Sequence, residues 1–161
     1  MHYANHGRDN YIYQLKDGVS TLLLEQETKF IQIWKDNLYF LGYNMFDGLH
    51  TNLYKYNLES KKLETLFEAD ITWMFVNENG IYLNLENQGN YEFCRLSFDG
   101  QIIEQAQWEF FLLYKDYYLV LEKDYDRFIK IKFIHNSSGE CILEIPDVYK
   151  GGITTSSLEQ L

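Results

Sequence analysis

The chain alternates between short apolar runs and polar turns, and one of these runs recurs at a nearly constant distance. Residues 53–58 (LYKYNL) are matched 40 residues later by 93–98 (FCRLSF), and 35 residues after that by 128–133 (FIKIKF). A shorter match, 12–15 (IYQL), lies 41 residues before the first. Side chains that alternate with period two occupy opposite faces of a strand, so each run is predicted to be a β-strand.

Residues typical of tight turns follow each of these runs, and Asp17-Gly18 and Asp99-Gly100 are the clearest examples. Asp-Gly between two apolar runs is a strong signal for a β-hairpin, because both residues tolerate a positive φ. Three other apolar runs repeat around the first, so each unit is predicted to hold four strands, labelled a to d in chain order. The complete units are residues 29–69, 70–107 and 108–145.

Four-stranded antiparallel units of about 40 residues predict an all-β chain and are the repeat of β-propeller blades. We expect a small propeller of four blades, or a partial one, in a single domain that spans residues 1–161. Residues 2–28 are a partial blade that lacks its first strand, and residues 146–161 are either the strand that closes the ring or a tail. A ring that does not close has open strand edges, which favour a homodimer.

The residues of the repeat also resemble a known family. An aromatic pair, a polar loop and then a strand such as LYKYNLES (53–60) or RLSFDG (95–100) is similar to bacterial β-propeller repeats of unknown function. Those repeats are related to the low-density-lipoprotein-receptor type propeller, and the resemblance covers about residues 2–145. It implies the propeller fold and no particular activity. Such repeats are often met in larger proteins at the cell surface.

Composition and charge narrow the classes of partner. The sequence is 46% hydrophobic and 17% aromatic, which excludes a disordered chain. Its net charge of −10 repels nucleic-acid phosphates and anionic lipids and favours a basic protein or peptide. No run approaches the length of a membrane helix, and the start of the chain lacks the features of a signal peptide. We therefore expect a cytoplasmic protein that binds neither nucleic acid nor a membrane.

Residues that could support catalysis or metal binding are scattered. The four histidines are interpreted as solvated, and Cys94 and Cys141 are predicted to be buried free thiols, because their spacing fits no metal site. Neither a phosphate-binding loop nor a dinucleotide fingerprint occurs. The acidic cluster around Asp124 is interpreted as a solvated hairpin loop. These observations predict a protein that is not an enzyme and that carries no metal and no cofactor.

Loop charge is the most informative pattern for function. In a propeller the d–a and b–c loops share one rim, and acidic and aromatic residues concentrate in those loops here. This composition is typical of protein interfaces, although it also fits an acidic surface that is only solvated. The residues predicted to bind a partner are Tyr43, Phe46, Asp47, Glu68, Asp70, Glu86, Asp124, Tyr125 and Asp126.

Two functions from different classes compete. The first is a non-catalytic protein-binding module that docks a basic partner on the acidic rim, in particular an inhibitor or immunity-type protein. The alternative is a propeller that binds a glycan or small ligand, with hydrolysis as an option, through Trp34, Trp73, Trp108 and rim carboxylates. Exposed tryptophans around a pocket would favour the alternative, whereas tryptophans buried on inner strands would favour the binding module.

Overall fold

The computed structural model describes residues 2–5, 11–43, 51–107, 109–114, 116–124, 127–135 and 137–146. Regular structure in these ranges consists of fifteen β-strands, and no helix occurs among them. It follows that nothing in these ranges is a helix long and apolar enough to cross a membrane. The prediction of an all-β protein is confirmed.

The strands form four antiparallel sheets, and within each sheet the strands follow one another in chain order. The first sheet has three strands, which are β1 (His2–Asn5), β2 (Ile12–Lys16) and β3 (Val19–Leu24). The second sheet contains β4 (Thr28–Trp34), β5 (Asn37–Tyr43), β6 (Thr51–Asn57) and β7 (Leu63–Phe67). The third sheet contains β8 (Ile71–Asn77), β9 (Gly80–Asn87), β10 (Asn90–Leu96) and β11 (Ile102–Ala106). The fourth sheet contains β12 (Glu109–Tyr114), β13 (Tyr117–Asp124), β14 (Arg127–His135) and β15 (Cys141–Pro146).

The chain divides into two compact units, Met1–Ala106 and Gln107–Leu161. The first unit contains the first three sheets and the second unit contains the fourth. In the second unit, Leu119, Leu121 and Ile131 form a small buried cluster within the sheet. In the first unit, the largest core is shared by the second and third sheets.

Two cores explain why β5 is an almost uninterrupted apolar run, because Tyr39 and Leu41 belong to the shared core whereas Leu38 and Phe40 pack in a second cluster with Ile12 of β2. Strand β9 is a similar apolar run. Residues 38–41 (LYFL) and 81–83 (IYL) are fully buried, because both faces of these strands are covered. Tyr39 and Tyr82 stand at equivalent positions, since each is the third residue of the strand that follows the first tight turn of its sheet. Burial raises the pKa of both phenols, so both remain neutral in the core.

Side chains from the second sheet bond to the backbone of β8, which is an edge strand of the third sheet. The Gln32 side chain accepts from Val76 N at 2.7 Å and donates to Val76 O at 3.2 Å. The Thr51 hydroxyl accepts from Ile71 N at 3.1 Å and donates to Ile71 O. A buried edge needs such partners because unpaired backbone groups are costly away from water. These contacts therefore fix the third sheet against the second.

The structure corrects one expectation about burial. Cys94 is buried, but Cys141 is exposed, because it begins β15 at the outer edge of its sheet. Trp34 and Trp73 lie on the edge strands β4 and β8 and are half-buried. Trp34 stacks on Phe98 of the third sheet, with ring centroids 6.4 Å apart. Trp108 lies outside the described residues.

Replacing Gln32 with alanine is expected to destabilise the first unit by about 1–3 kcal/mol, because Val76 N and O then lose their partner in a largely buried place. Urea unfolding followed by tryptophan fluorescence measures the change. Gln101→Ala is the matched control, since Gln101 is exposed and bonds through its backbone. Equal midpoints for the two variants would show that the Gln32 contact contributes nothing.

A pair of glycine variants separates backbone strain from close packing. Gly100 and Gly89 have nearly the same φ, +84° and +83°, so alanine is strained equally at both. A Cβ on Gly100 would lie 2.6 Å from the Leu66 carbonyl oxygen, whereas a Cβ on Gly89 meets nothing within 4 Å. Gly100→Ala should therefore cost about 1–3 kcal/mol more than Gly89→Ala in thermal unfolding. Equal losses would contradict this close approach of the two sheets.

The two thiols should differ sharply in reactivity. Burial, with a smaller contribution from Glu92, raises the pKa of Cys94 to about 11, so its reactive thiolate is scarce at pH 8. An aromatic disulfide reagent should titrate one thiol in the native protein and two after denaturation. Cys141→Ser should abolish the native reaction, whereas Cys94→Ser should leave it intact. Two fast thiols in the native wild type would refute the burial of Cys94.

Candidate functional site

A groove opens in the first unit where the connection from β7 to β8 meets the turn between β9 and β10. Its volume is about 690 Å³. We call it the acidic groove and define it by the described residues that line it. These residues are Asn52, Glu68, Ala69, Asp70, Leu85, Glu86, Asn87, Gln88, Glu92 and Gln105.

Four carboxylates give the acidic groove its charge. Glu68 is exposed, and Asp70, Glu86 and Glu92 are half-buried. Among the described lining residues there is no lysine, arginine or histidine. Carboxylates that line a cleft with protein walls reinforce one another's field, because the surrounding dielectric is low. The groove is therefore a site of negative potential at neutral pH.

Backbone contacts hold the acidic walls together. Glu86 N donates to Asp70 O at 2.8 Å, which joins the β7–β8 connection to β9. Gln88 and Gly89 form the two-residue turn after β9, with φ of 52° and 83°, the signature of a type I′ hairpin. This turn returns the chain along β10, which brings Glu92 to the groove. The carboxylates are thus placed by sheet geometry rather than by a long loop.

The floor of the groove combines an apolar and a polar side chain. Leu85 is 7% exposed and Asn52 is 8% exposed. Within the described part of the chain, the Asn52 side chain makes no hydrogen bond. Its amide atoms are not among the fully buried atoms without a partner in the described residues, so they face the open groove and are available to an occupant.

One wall is fixed by a polar contact between neighbouring strands. Gln105 Nε2 on β11 donates to Glu92 Oε2 on β10 at 2.8 Å. This bond orients one carboxylate oxygen and leaves the other able to accept. No group of three or more histidine, cysteine, aspartate or glutamate side chains that could hold a metal is found in the described ranges. The groove therefore has the chemistry of a hydrogen-bonding anionic surface.

The structure brings together three of the nine predicted binding residues, Glu68, Asp70 and Glu86. Tyr43 does not line the groove, and its ring lies under Lys29, whose Nζ is 5.3 Å from the ring centroid. Asp124 is the last residue of β13 in the second unit. The predictions for Phe46, Asp47, Tyr125 and Asp126 lie outside the described residues.

Sequence reasoning missed Asn52, Glu92 and Gln105, which lie within the strands β6, β10 and β11 rather than in the loops from which binding residues were predicted. The position of Glu92 could have been predicted from the sequence, since a two-residue turn at Gln88-Gly89 fixes the register of the hairpin. That register places Glu92 directly opposite Leu85. Asn52 gave no comparable signal, because its exposure to the groove depends on how the second and third sheets pack.

Neither of the described tryptophans lines the acidic groove. Trp73 instead stacks on Phe75, with ring centroids 6.2 Å apart. Comparison with protein-family models and with curated proteins found no match to this chain. The geometry of the groove is therefore the basis of the function proposed below.

Proposed function

We propose that the protein is a non-catalytic binding module that docks a basic protein or peptide in the acidic groove. The observation that carries this proposal is the lining of the groove, with four carboxylates and no cation among its described residues. A cleft of one charge raises the encounter rate with an oppositely charged partner and rejects partners of the same charge. The net charge of −10 acts in the same direction at longer range.

We further propose that the four sheets are successive blades of one β-propeller-like domain, spanning residues 1–161. Support comes from the consecutive order of strands in every sheet and from the core that the second and third sheets share. It agrees with the resemblance to bacterial propeller repeats. An arc that does not close would present strand edges to a second copy, so a homodimer belongs to the same proposal.

An inhibitor or immunity-type protein for a basic toxin or nuclease is the specific role that we propose by analogy, and it is consistent with a cytoplasmic location. Such a role needs a strongly acidic, non-catalytic surface. The glycan- or small-ligand-binding alternative would draw on stacked tryptophans around the pocket. Because Trp34 and Trp73 pack within the first unit and do not line the groove, protein binding is the better supported function.

Charge reversal in the groove tests the proposal. Glu68→Lys with Glu86→Lys should slow the association of a fluorescein-labelled decalysine peptide by about tenfold at low salt, because electrostatic steering depends on the local field. Stopped-flow anisotropy measures the association rate. The difference should shrink near 0.5 M salt, where screening shortens the reach of exposed charges.

The control for this experiment carries the same net charge. Glu59→Lys with Glu78→Lys reverses two exposed carboxylates in turns of the same unit that do not line the groove. It should retain most of the wild-type rate. If both double variants bind decalysine at the same reduced rate, general charge rather than the groove attracts cations, and the proposed function fails.

A further inference from the structure

We infer that the acidic groove is a pocket for an arginine side chain of the partner, with Asn52 at its floor and the carboxylates around it. This inference rests on the proposed function and specifies the group that is recognised. The Asn52 amide is the feature that distinguishes a defined pocket from a surface that is only negatively charged.

The state of Asn52 is unusual for a residue so deeply placed. More than nine-tenths of its surface is buried, it lines the groove, and its amide makes no hydrogen bond within the described residues. The Asn52 amide atoms are not among the fully buried atoms that lack a partner in the described residues, so they reach the groove, where an occupant can replace water as their partner. The amide oxygen accepts hydrogen bonds, so a cation with several donors satisfies it together with the carboxylates.

A guanidinium fits this arrangement better than an ammonium does. It offers five N–H donors in a rigid plane, so it can bond to a carboxylate in bidentate fashion and still reach a third acceptor. It is also more weakly hydrated, and so loses less on entering a recessed site. Leu85 at the floor and Ala69 beside it give the groove an apolar surface on which the methylene stem of an arginine can lie.

The size of the groove indicates how the arginine is presented. A volume of about 690 Å³ is that of a small-ligand pocket and exceeds what one side chain fills. Residues on either side of the arginine therefore enter with it, as they do when a loop or an extended segment docks. The partner is accordingly a protein or peptide whose arginine projects from such a segment.

Three short peptides test the inference on the wild-type protein: acetyl-Gly-Arg-Gly-amide, its lysine counterpart, and its citrulline counterpart. Titration is followed by nuclear magnetic resonance of the backbone amides and of the Asn52 side-chain NH₂. We expect the arginine peptide to bind about fivefold more tightly than the lysine peptide, because one additional hydrogen bond is made. The Asn52 NH₂ resonances should shift with arginine, and citrulline, which lacks the charge, should not bind.

Asn52→Leu provides the variant, because leucine has a similar size and cannot bond to the guanidinium. It should remove the preference for arginine over lysine and leave residual binding of both. If Asn52→Leu does not fold, the peptide series on the wild-type protein still tests the inference, because that series does not use the variant.

The outcomes separate the two proposals. Equal affinity for arginine and lysine peptides, with shifts in the groove, overturns the arginine pocket and leaves the acidic docking site standing. An arginine peptide that shifts no groove resonance also overturns the pocket. If decalysine in addition fails to distinguish the groove double variant from its control, the docking function falls with it.

Discussion

The first unit depends on one constraint, which is that the central strands of its sheets must be covered on both faces. β5 and β9 are apolar at successive positions, so neither can face water on either side. A single flat sheet would leave those side chains exposed. Packing the second sheet against the third covers one face and buries Tyr39, Leu41, Leu83 and Cys94 in one cluster, while Leu38 and Phe40 on the other face of β5 pack with Ile12 of the first sheet. The contact between these two sheets also sets where Asn52 of β6 lies relative to the groove residues of the third sheet.

The groove is a consequence of how the chain passes between those two sheets. β7 is at one edge of the second sheet, whereas β8, the next strand, is an edge of the third sheet and lies beside β4, β5 and β6. The chain must therefore cross from one edge back towards the other through residues 68–70. Ala69 packs against the core during this crossing, and the carboxylates on either side of it line the groove. Because the crossing is short and anchored at Ala69, the positions of Glu68 and Asp70 are fixed.

The repeat was readable from the sequence because local chemistry determines it. Asp17-Gly18 adopts φ of 51° and 79°, as the Asp-Gly signal predicts for a tight hairpin, and the antiparallel strands follow. Loop charge likewise identified Glu68, Asp70 and Glu86. The exposure of Cys141 could not be predicted from the sequence, because it depends on which strands form the edges of a sheet. Asn52 was missed for a related reason, since packing between sheets decides which strand residues border a groove.

The same short segment of β6 both holds the third sheet and forms the floor of the groove. Thr51 bonds to both backbone groups of Ile71, directly after Asp70, and Asn52 is the next residue. Glu86 N bonds to Asp70 O, so floor and wall are joined by hydrogen bonds that exist before any partner arrives. A site whose groups are already ordered loses little conformational entropy on binding, and more of each contact then contributes to affinity. Adjacent residues of β6 therefore have both roles: Thr51 holds the two sheets together, and Asn52 faces the occupant of the groove.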